Sequence, residues 1–257
     1  MALGETVTRD ITLVLPHYMN LGMLAEQQDV WASYPADVRA RLHIVIVDDC
    51  SPAGNSPTAE SLTFRDVASI RLYRLLEKKR WNWLSCRNLG AEVATTDWLL
   101  LTDMDHIAPA ATLRELMTRD LDARDAHRFG RVTAEHRWPY DPARLPAYKP
   151  HNDSWFLTRS LFFDDRVGGY DERLAGCYGT SSEFTGRLMA AARAHVLLRD
   201  CILIRYPREV IADASTTVYT RKNDPLNDVD LQARRLAREQ IQGWRPLRLT
   251  VPWEQVA

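Results

Sequence analysis

The amino-acid sequence predicts an α/β fold in which a mostly parallel, Rossmann-like sheet is flanked by helices. Three observations support it: short apolar runs alternate with helix-like stretches over the first hundred residues, one run is apolar on both faces, and polar residues directly follow several runs. Strands that alternate with helices in this way form a parallel sheet with right-handed crossovers. With 257 residues the chain can bury one sizeable core, so one compact unit is expected.

The first half of the chain supplies the parallel strands. Residues 11–15 form an apolar run that Pro16 would end, and a helix is predicted over residues 21–33. The run at 44–47 is the second strand, since it is apolar on both faces, as a strand between two helix layers must be. The remaining predicted elements of this half are a strand at 69–75, a helix at 85–94 and a strand at 98–101.

The pattern changes near residue 108, and the second half is predicted to be smaller and mixed. Its predicted elements are a helix at 111–121, a strand at 154–158, a helix at 183–194, strands at 196–199 and 202–206, and a helix at 227–240. We expect residues 1–107 and 108–257 to be two halves of one compact domain.

Composition and charge exclude several classes of protein. The chain is 46% hydrophobic and 26% charged with a formal net charge of −1, so it has neither the composition of a disordered chain nor a global field for nucleic acid. No apolar stretch reaches the roughly 18 to 20 residues that cross a bilayer, and the N-terminus lacks a secretory signal, which predicts a cytoplasmic protein. The four cysteines form no C-x-x-C pair, so neither a zinc knuckle nor a disulfide framework is expected.

Polar clusters follow three of the predicted parallel strands. They are Pro16–His17, Asp48–Asp49 and Asp103–Asp105. Ligands of parallel α/β sheets bind outside the carboxyl ends of the strands. The sequence therefore predicts one ligand site where these three clusters meet.

The third cluster is a candidate metal site. In an extended segment, residues i and i+2 point the same way, so Asp103 and Asp105 can present two carboxylates to one point. Oxygen ligands suit Mg²⁺ or Mn²⁺, and such a cation would neutralise the charge on a leaving diphosphate. His106 and His151 could complete the metal shell or contact phosphate, and a surface or packing role is open for both.

Five short motifs occur in a fixed order along residues 11–190. They are Val14–Tyr18 with Asn20, Ile46–Ser51, Arg87–Ala91, Asp103–Asp105 and Val167–Glu172. In these motifs and their order the chain resembles the family 2 glycosyltransferases of the GT-A fold. The resemblance implies a Rossmann-like sheet with a smaller mixed region on the acceptor side.

The resemblance implies an enzyme that moves a sugar from a nucleoside-diphosphate sugar of UDP or GDP type to an acceptor hydroxyl. It further implies Mn²⁺ or Mg²⁺ at Asp103 and Asp105 and inversion at the anomeric carbon. Residues 1–107 would bind the donor, and residues 108–257 would bind the acceptor. The acceptor is open between a saccharide, a lipid-linked glycan, a protein and a modified base in DNA.

The resemblance also implies contacts with the donor. Pro16 and Tyr18 would border the nucleotide pocket, and Asp48 would hydrogen-bond the nucleobase. Arg87 and Asn88 would lie near the base and the phosphates at the start of a helix, where free N–H groups and the helix dipole favour phosphate. For Asp48, a turn or cap role after the strand is the alternative.

The catalytic base is the point at which the chain departs from the family. Members commonly carry an acidic pair ahead of a helix, and one of these acids deprotonates the acceptor, whereas Thr180 and Ser181 stand at that place here. Glu183 is the nearest carboxylate, and Asp153 is the second candidate. For Glu183 the alternative is a first-turn residue that complements the helix dipole.

Two other functions fit parts of the pattern. The missing acidic pair is also expected of a non-catalytic module that binds nucleotide sugars. A sugar-nucleotide pyrophosphorylase would carry a G-x-G-x-R loop after the first strand, where Pro16–Asn20 stands instead. Trp81 and Trp83 could stack on a base or sugar or anchor the core, and the segment 213–222 could close over the donor or be a solvated loop.

Overall fold

The computed structural model describes residues 8–147, 149–216 and 227–257, and in this part of the chain nine strands form one sheet. The strands are β1 (Ile11–His17), β2 (Leu42–Asp48), β3 (Ser69–Leu75), β4 (Trp98–Leu101), β5 (His106–Ile107), β6 (Ala126–Thr133), β7 (Trp155–Thr158), β8 (His195–Arg205) and β9 (Trp253–Gln255). The helices are α1 (Leu21–Ala32), α2 (Ala36–Arg39), α3 (Trp83–Val93), α4 (Ala110–Thr118), α5 (Arg159–Phe162), α6 (Ser181–Ala191) and α7 (Asn227–Glu239). The order across the sheet is β5-β8-β6-β7-β4-β1-β2-β3-β9.

The four strands of the first half are parallel, as predicted. β1 lies between β2 and β4, and β3 lies beyond β2. β1 continues through Pro16 to His17 instead of ending before the proline. This is possible because β4 has already ended at Leu101, opposite Val14, so Pro16 has a strand partner on one side only. His17 stands opposite Asp48, which brings the first two polar clusters together.

The second half makes the sheet mixed. β7 runs antiparallel to β4 and β6, whereas β8 runs parallel to β6 and antiparallel to the short β5. The two strands predicted at 196–199 and 202–206 are one strand, β8, with a bulge: its pairing jumps from Leu198 to Ile202 between neighbouring residues of β6. β5, β6 and β9 were not predicted.

Helices cover both faces of the sheet, and successive side chains of each strand point to opposite faces. Ile11, Leu13 and Leu15 belong to a buried cluster with residues of α1 and α4. Val14 faces the other way, into a cluster with residues of α3, α5 and α6. The core therefore has two layers, one on each side of the parallel strands.

The segment that follows α7 crosses the molecule to the far edge of the sheet. We call residues 244–257 the C-terminal strap. Glu172 accepts hydrogen bonds from the backbone N–H groups of Leu249 and Thr250, both at 2.9 Å, and β9 then pairs antiparallel with β3. Among the helices of the described residues, none is both long and apolar enough to span a bilayer.

Candidate active site

A cavity lies at the carboxyl ends of the parallel strands, where the topology predicts a ligand site. Loops from both halves of the chain form its walls. Its lining residues are Pro16, His17, Tyr18, Asn20, Asp49, Lys78, Arg80, Trp81, Trp83, Asp103, Met104, Asp105, Asp153, Ala214, Ser215 and Thr216. Pro16, Tyr18, Asp103 and Asp105 are thus all part of one cavity wall.

Backbone strain is concentrated around this cavity. Of the four non-glycine residues with positive φ in the described chain, Met19 (57°), Cys50 (50°) and Trp81 (47°) lie in loops that border it. Such conformations cost about 1–3 kcal/mol each and persist only where the surroundings enforce them. The strain marks these three loops as held in place for the site.

Asp48 does not lie where the sequence predicted it, because its side chain is completely buried beneath the cavity. His17 Nδ1 lies 3.0 Å from it, and the hydroxyls of Ser51 and Ser56 donate to it at 2.6 and 2.7 Å. Burial opposes its charge, but these hydrogen bonds outweigh burial and hold its pKa below the usual value. Asp48 therefore fixes the loop after β2, which is the turn role left open as the alternative.

Asp49, and not Asp48, faces the cavity. The alternation along β2 explains this: Ile44 and Ile46 point to the α1 layer, and Asp48 continues that row, while Asp49 continues the opposite one. Asp49 accepts a hydrogen bond from the backbone N–H of Asn82 at 2.9 Å, and its Oδ1 atom is buried without a partner. Burial raises its pKa to about 6, although the Lys78 ammonium at 3.6 Å opposes the shift.

Arg87 and Asn88 are buried below the cavity wall and are not at the helix start. The reason is that α3 begins at Trp83, two residues earlier than predicted, which moves both residues into its second turn. Arg87 Nη2 donates to Asp103 Oδ1 at 2.5 Å, and Arg87 Nη1 donates to the Tyr170 hydroxyl at 3.0 Å. Both polar atoms of the Asn88 side chain hydrogen-bond the backbone of Tyr170.

Asp103, His106 and His151 form a cluster in which one potential ligand atom of each lies within 4.8 Å of the others. His151 Nε2 is 3.5 Å from Asp103 Oδ2, and the two imidazole rings stack with centroids 4.3 Å apart. Burial, aided by His106, lowers the pKa of His151 to about 3, so this imidazole is neutral at pH 7. Neutral imidazoles and a carboxylate are the forms that bind a metal.

Asp105 contacts the cluster through His106. Its Oδ1 atom lies 2.7 Å from His106 Nδ1, and because a carboxylate only accepts, Nδ1 carries the hydrogen. In the neutral form of the ring the lone pair then lies on the other nitrogen, Nε2, which is buried without a hydrogen-bond partner. A carboxylate that fixes the tautomer of a ligating histidine is a common arrangement at metal sites. Asp103 and Asp105 therefore play different parts and do not present two equivalent oxygens to one point.

Asp153 is the carboxylate that the second half contributes to the cavity wall. Its Oδ1 atom is buried without a hydrogen-bond partner. Burial raises its pKa to about 6, and the neighbouring Asp103 adds to the shift, while Arg87 and a hydrogen bond from Ser181 oppose it.

Glu183, the first candidate for the base, does not line the cavity. It is held between Arg187 and Arg238, with nearest nitrogen–oxygen distances of 2.7 and 2.8 Å. The first of these is an ordinary pair across one turn of α6. Both arginines pair with this carboxylate. The geometry therefore supports a structural role for Glu183 in the first turn of α6.

The segment after β8 forms part of the cavity wall. Asp213 accepts from the backbone N–H groups of Gly22 and Met23 at 2.6 and 2.9 Å, and the hydroxyl of Thr216 donates to the Tyr18 carbonyl at 2.7 Å. These bonds hold the segment against the start of α1. Thr217, Arg221 and Lys222, which were part of the predicted closing loop, lie outside the described residues.

Comparison with known proteins identifies the class. The architecture is similar to the crystal structure of S. aureus TarS 1-349 (TM-score 0.56, 15% identity, 89% of this chain and 72% of that chain). It is also similar to the mannosyltransferase PcManGT from Pyrobaculum calidifontis in complex with GDP-Man and Mn²⁺ (TM-score 0.57, 17% identity, 94% and 67%). A further match is TarS 1-349 in complex with UDP-GlcNAc (TM-score 0.58, 17% identity, 86% and 66%). The fold is that of the GT-A glycosyltransferases.

The family follows from the sequence match. The profile of Glycosyl transferase family 2 matches residues 34–163, half of the chain, and the chain belongs to that family. It is a glycosyltransferase. No curated protein matches the chain in sequence.

Proposed function

We propose that the enzyme transfers a sugar from a nucleoside-diphosphate sugar of UDP or GDP type to an acceptor hydroxyl, with a divalent cation and with inversion. The observation that carries the proposal is a group of unpartnered buried polar atoms at one cavity: those on Asp49 and Asp153, which line it, and that on His106, which is bonded through its other ring nitrogen to the lining residue Asp105. Buried polar atoms are normally paired, so three of them around one cavity indicate a polar ligand. Mn²⁺, UDP-GlcNAc and GDP-Man in the similar structures support the same proposal.

The donor base would bind between Tyr18 and Asp49. Lys78 Nζ lies 3.6 Å from the centre of the Tyr18 ring and 3.6 Å from Asp49, so these three side chains form one wall. Uracil and guanine both carry a ring N–H, and Asp49 Oδ1 is a free acceptor for it. We assign the nucleobase contact to Asp49 in place of Asp48.

The cluster of Asp103, His106 and His151 fits a divalent cation. Bound there, a cation would neutralise the negative charge that develops on the leaving diphosphate. Arg87 occupies Asp103 Oδ1, which leaves Oδ2 as the free oxygen, and His106 offers Nε2. Two imidazoles favour a transition metal over Mg²⁺, and Mn²⁺ also accepts phosphate oxygens, so Mn²⁺ is the preferred ion. Asp105 acts as a positioning residue for His106.

Asp153 is the proposed general base. The acceptor hydroxyl gives its proton to the free Oδ1 atom, its oxygen forms a bond to the anomeric carbon, and the bond from that carbon to the diphosphate breaks with the electron pair on the leaving group. Attack opposite the leaving group inverts the anomeric centre. The proposal places the donor site mainly on residues 1–107 and the acceptor site on residues 108–257, which contribute Asp153.

The metal assignment is tested by measuring Mn²⁺ affinity by electron paramagnetic resonance together with donor hydrolysis. Asp103→Asn and His151→Ala remove ligands and should abolish tight Mn²⁺ binding. Asp105→Asn keeps an acceptor for His106 and should weaken binding by about 10- to 100-fold. Asp66→Asn, which changes a carboxylate 75% exposed on the surface, is the matched control. Mn²⁺ affinity that is unchanged in both ligand variants would rule out this site.

The base assignment is tested by comparing Asp153→Asn with Glu183→Gln. We expect Asp153→Asn to slow transfer by about 10² to 10⁴-fold while donor binding stays the same. Glu183→Gln keeps an acceptor for Arg187 and a side chain of the same size beside Arg238, so its turnover should remain within about twofold of wild type. A larger loss of transfer rate in Glu183→Gln than in Asp153→Asn would identify Glu183 as the base.

A further inference from the structure

Three aromatic side chains from two distant loops gather at one side of the cavity. The rings of Trp81 and Tyr178 stack with centroids 5.1 Å apart and an angle of 9° between their planes. The ring centroids of Trp81 and Trp83 lie 6.4 Å apart, with an angle of 60° between the ring planes. Trp81 and Trp83 line the cavity, and Tyr178 is 37% exposed. Trp31 and Trp155, which anchor the core, are only 0% and 1% exposed, so the aromatic group does not have the burial of core anchors.

The backbone holds Trp81 in place at a cost. Its φ of +47° is unfavourable for a bulky residue. The loop is fixed on both sides, because Asn82 N–H donates to Asp49 and Gly176 N–H donates to the Trp81 carbonyl at 3.4 Å. The second bond ties the loop before α3 to the turn that carries Tyr178.

The turn that carries Tyr178 leads directly into α6. Gly176 and Gly179 flank Tyr178 with φ values of +93° and +84°, which only glycine adopts readily. The chain then enters α6 at Ser181, and Asp153 lines the same cavity as Trp81 and Trp83. The aromatic group therefore borders the same cavity as the carboxylate that would contact the acceptor hydroxyl.

We propose that Trp81, Trp83 and Tyr178 form a subsite for a saccharide acceptor; this rests on the function proposed above. One face of a pyranose carries C–H bonds, which are attracted to the electron-rich face of an aromatic ring. Its hydroxyls need hydrogen-bond partners, and Trp83 Nε1 is a buried donor without one. A DNA acceptor would call for a positive field, which a net charge of −1 does not supply.

The test is saturation-transfer-difference NMR on the full chain with Mn²⁺ and UDP or GDP, whichever binds. The probes are the methyl α- and β-pyranosides of glucose, galactose, mannose and N-acetylglucosamine. We expect at least one to receive saturation mainly on the C–H protons of one face. Trp81→Ala and, separately, Tyr178→Ala should weaken its binding by about tenfold. Trp81→Phe keeps a ring face and should retain part of the affinity.

Nucleotide affinity and donor hydrolysis of the same variants separate the possible outcomes. In Tyr178→Ala, whose side chain does not line the donor cavity, the loss of glycoside affinity should exceed any change in these two quantities, and the control Trp253→Ala, at the outer strand β9, should change nothing. Loss of nucleotide binding equal to the loss of glycoside binding would assign the rings to the donor and overturn the proposal. Donor hydrolysis by the wild type with no glycoside bound would also overturn it while leaving the proposed function standing. A wild type that binds and hydrolyses no nucleotide sugar would refute the proposed function itself.

Discussion

Two neighbouring carboxylates show how strongly side-chain direction determines the role of a residue. Asp48 receives hydrogen bonds from three side chains and has a lowered pKa, whereas Asp49 keeps an unpartnered oxygen at the cavity and has a raised one. Both residues are almost completely buried, so burial alone does not account for the difference. What differs is the number of donors that each position receives.

The raised pKa of Asp49 predicts a pH-dependent stability. The folded state holds this proton up to about pH 6, while the unfolded chain releases it near pH 3.8, so ionisation of Asp49 costs stability as the pH rises through that window. Asp49→Asn removes this cost. The free energy of unfolding of the variant, relative to that of the wild type, should therefore increase by about 2–3 kcal/mol between pH 4 and pH 7. Urea denaturation from pH 4 to 8 measures this gain. A difference that does not vary with pH, as expected for Asp66→Asn, would contradict the prediction.

The sequence indicates which single residues reach the cavity where a motif lies at the end of a strand. Pro16 lies near the end of β1 and Tyr18 just beyond it, Asp103 and Asp105 follow β4, and all four line the cavity. The position of Glu183 could not be read from the sequence, because it depends on the two arginines that pair with it. Those partners, Arg187 and Arg238, come from one turn further along α6 and from α7, and no local pattern connects the second of them with Glu183.

The contact between α3 and β1 depends on a glycine. A Cβ atom at Gly90 would lie 2.3 Å from Val14 Cγ1, which is far inside the contact distance. The helix therefore packs directly on the central strand and fixes the positions of Trp83 and Arg87 relative to the cavity.

Gly90→Ala should destabilise the protein by about 1–3 kcal/mol in chemical denaturation, since it overpacks a close contact. Val14→Ala makes room for the new methyl group, so the double variant should lose less than the sum of the two single changes. Gly186→Ala on α6 is the control: no atom lies within 4 Å of its Cβ position, and the gain in helix propensity should raise stability by up to about 1 kcal/mol. Strict additivity of Gly90→Ala and Val14→Ala would show that the contact is not the cause.

Whole elements were predictable where apolar runs are continuous. β1, β2, β4 and α1 lie within a few residues of their predicted ranges, and for the three strands the reason is that a strand between two helix layers needs an unbroken apolar sequence. β6 was missed since its sequence contains two arginines, a histidine and a glycine, and it pairs through its backbone with strands far away in sequence. β9 has only three residues, all exposed, and nothing in its sequence indicates that it pairs with β3.

On the scale of the molecule, Glu172 connects the C-terminal strap to the rest of the fold. This buried carboxylate accepts from Asn88, Leu249 and Thr250 through four hydrogen bonds of 2.7 to 2.9 Å. It therefore joins α3, which carries Arg87, to a segment far along the chain.

Glu172→Ala should leave these donors without an acceptor and lower the free energy of unfolding by about 3 kcal/mol. Limited proteolysis should then cut within residues 244–252 before it cuts elsewhere. Glu254→Ala changes an exposed carboxylate of the same strap and should cost less than about 0.5 kcal/mol. Equal protease resistance of the two variants would show that Glu172 does not secure the strap.

The pairing of β9 with β3 also has a consequence for the order in which the protein is built. Arg74 of β3 and Glu254 of β9 are 180 residues apart, yet they stand opposite each other at the edge of the sheet. On the ribosome, the strands that carry Asp48 and Asp49 and their neighbours emerge early, but the edge of β3 stays open until residues 253–255 leave the exit tunnel. The half of the sheet that is synthesised first is thus completed last, and an exposed strand edge has to be kept from pairing with other nascent chains in the interval.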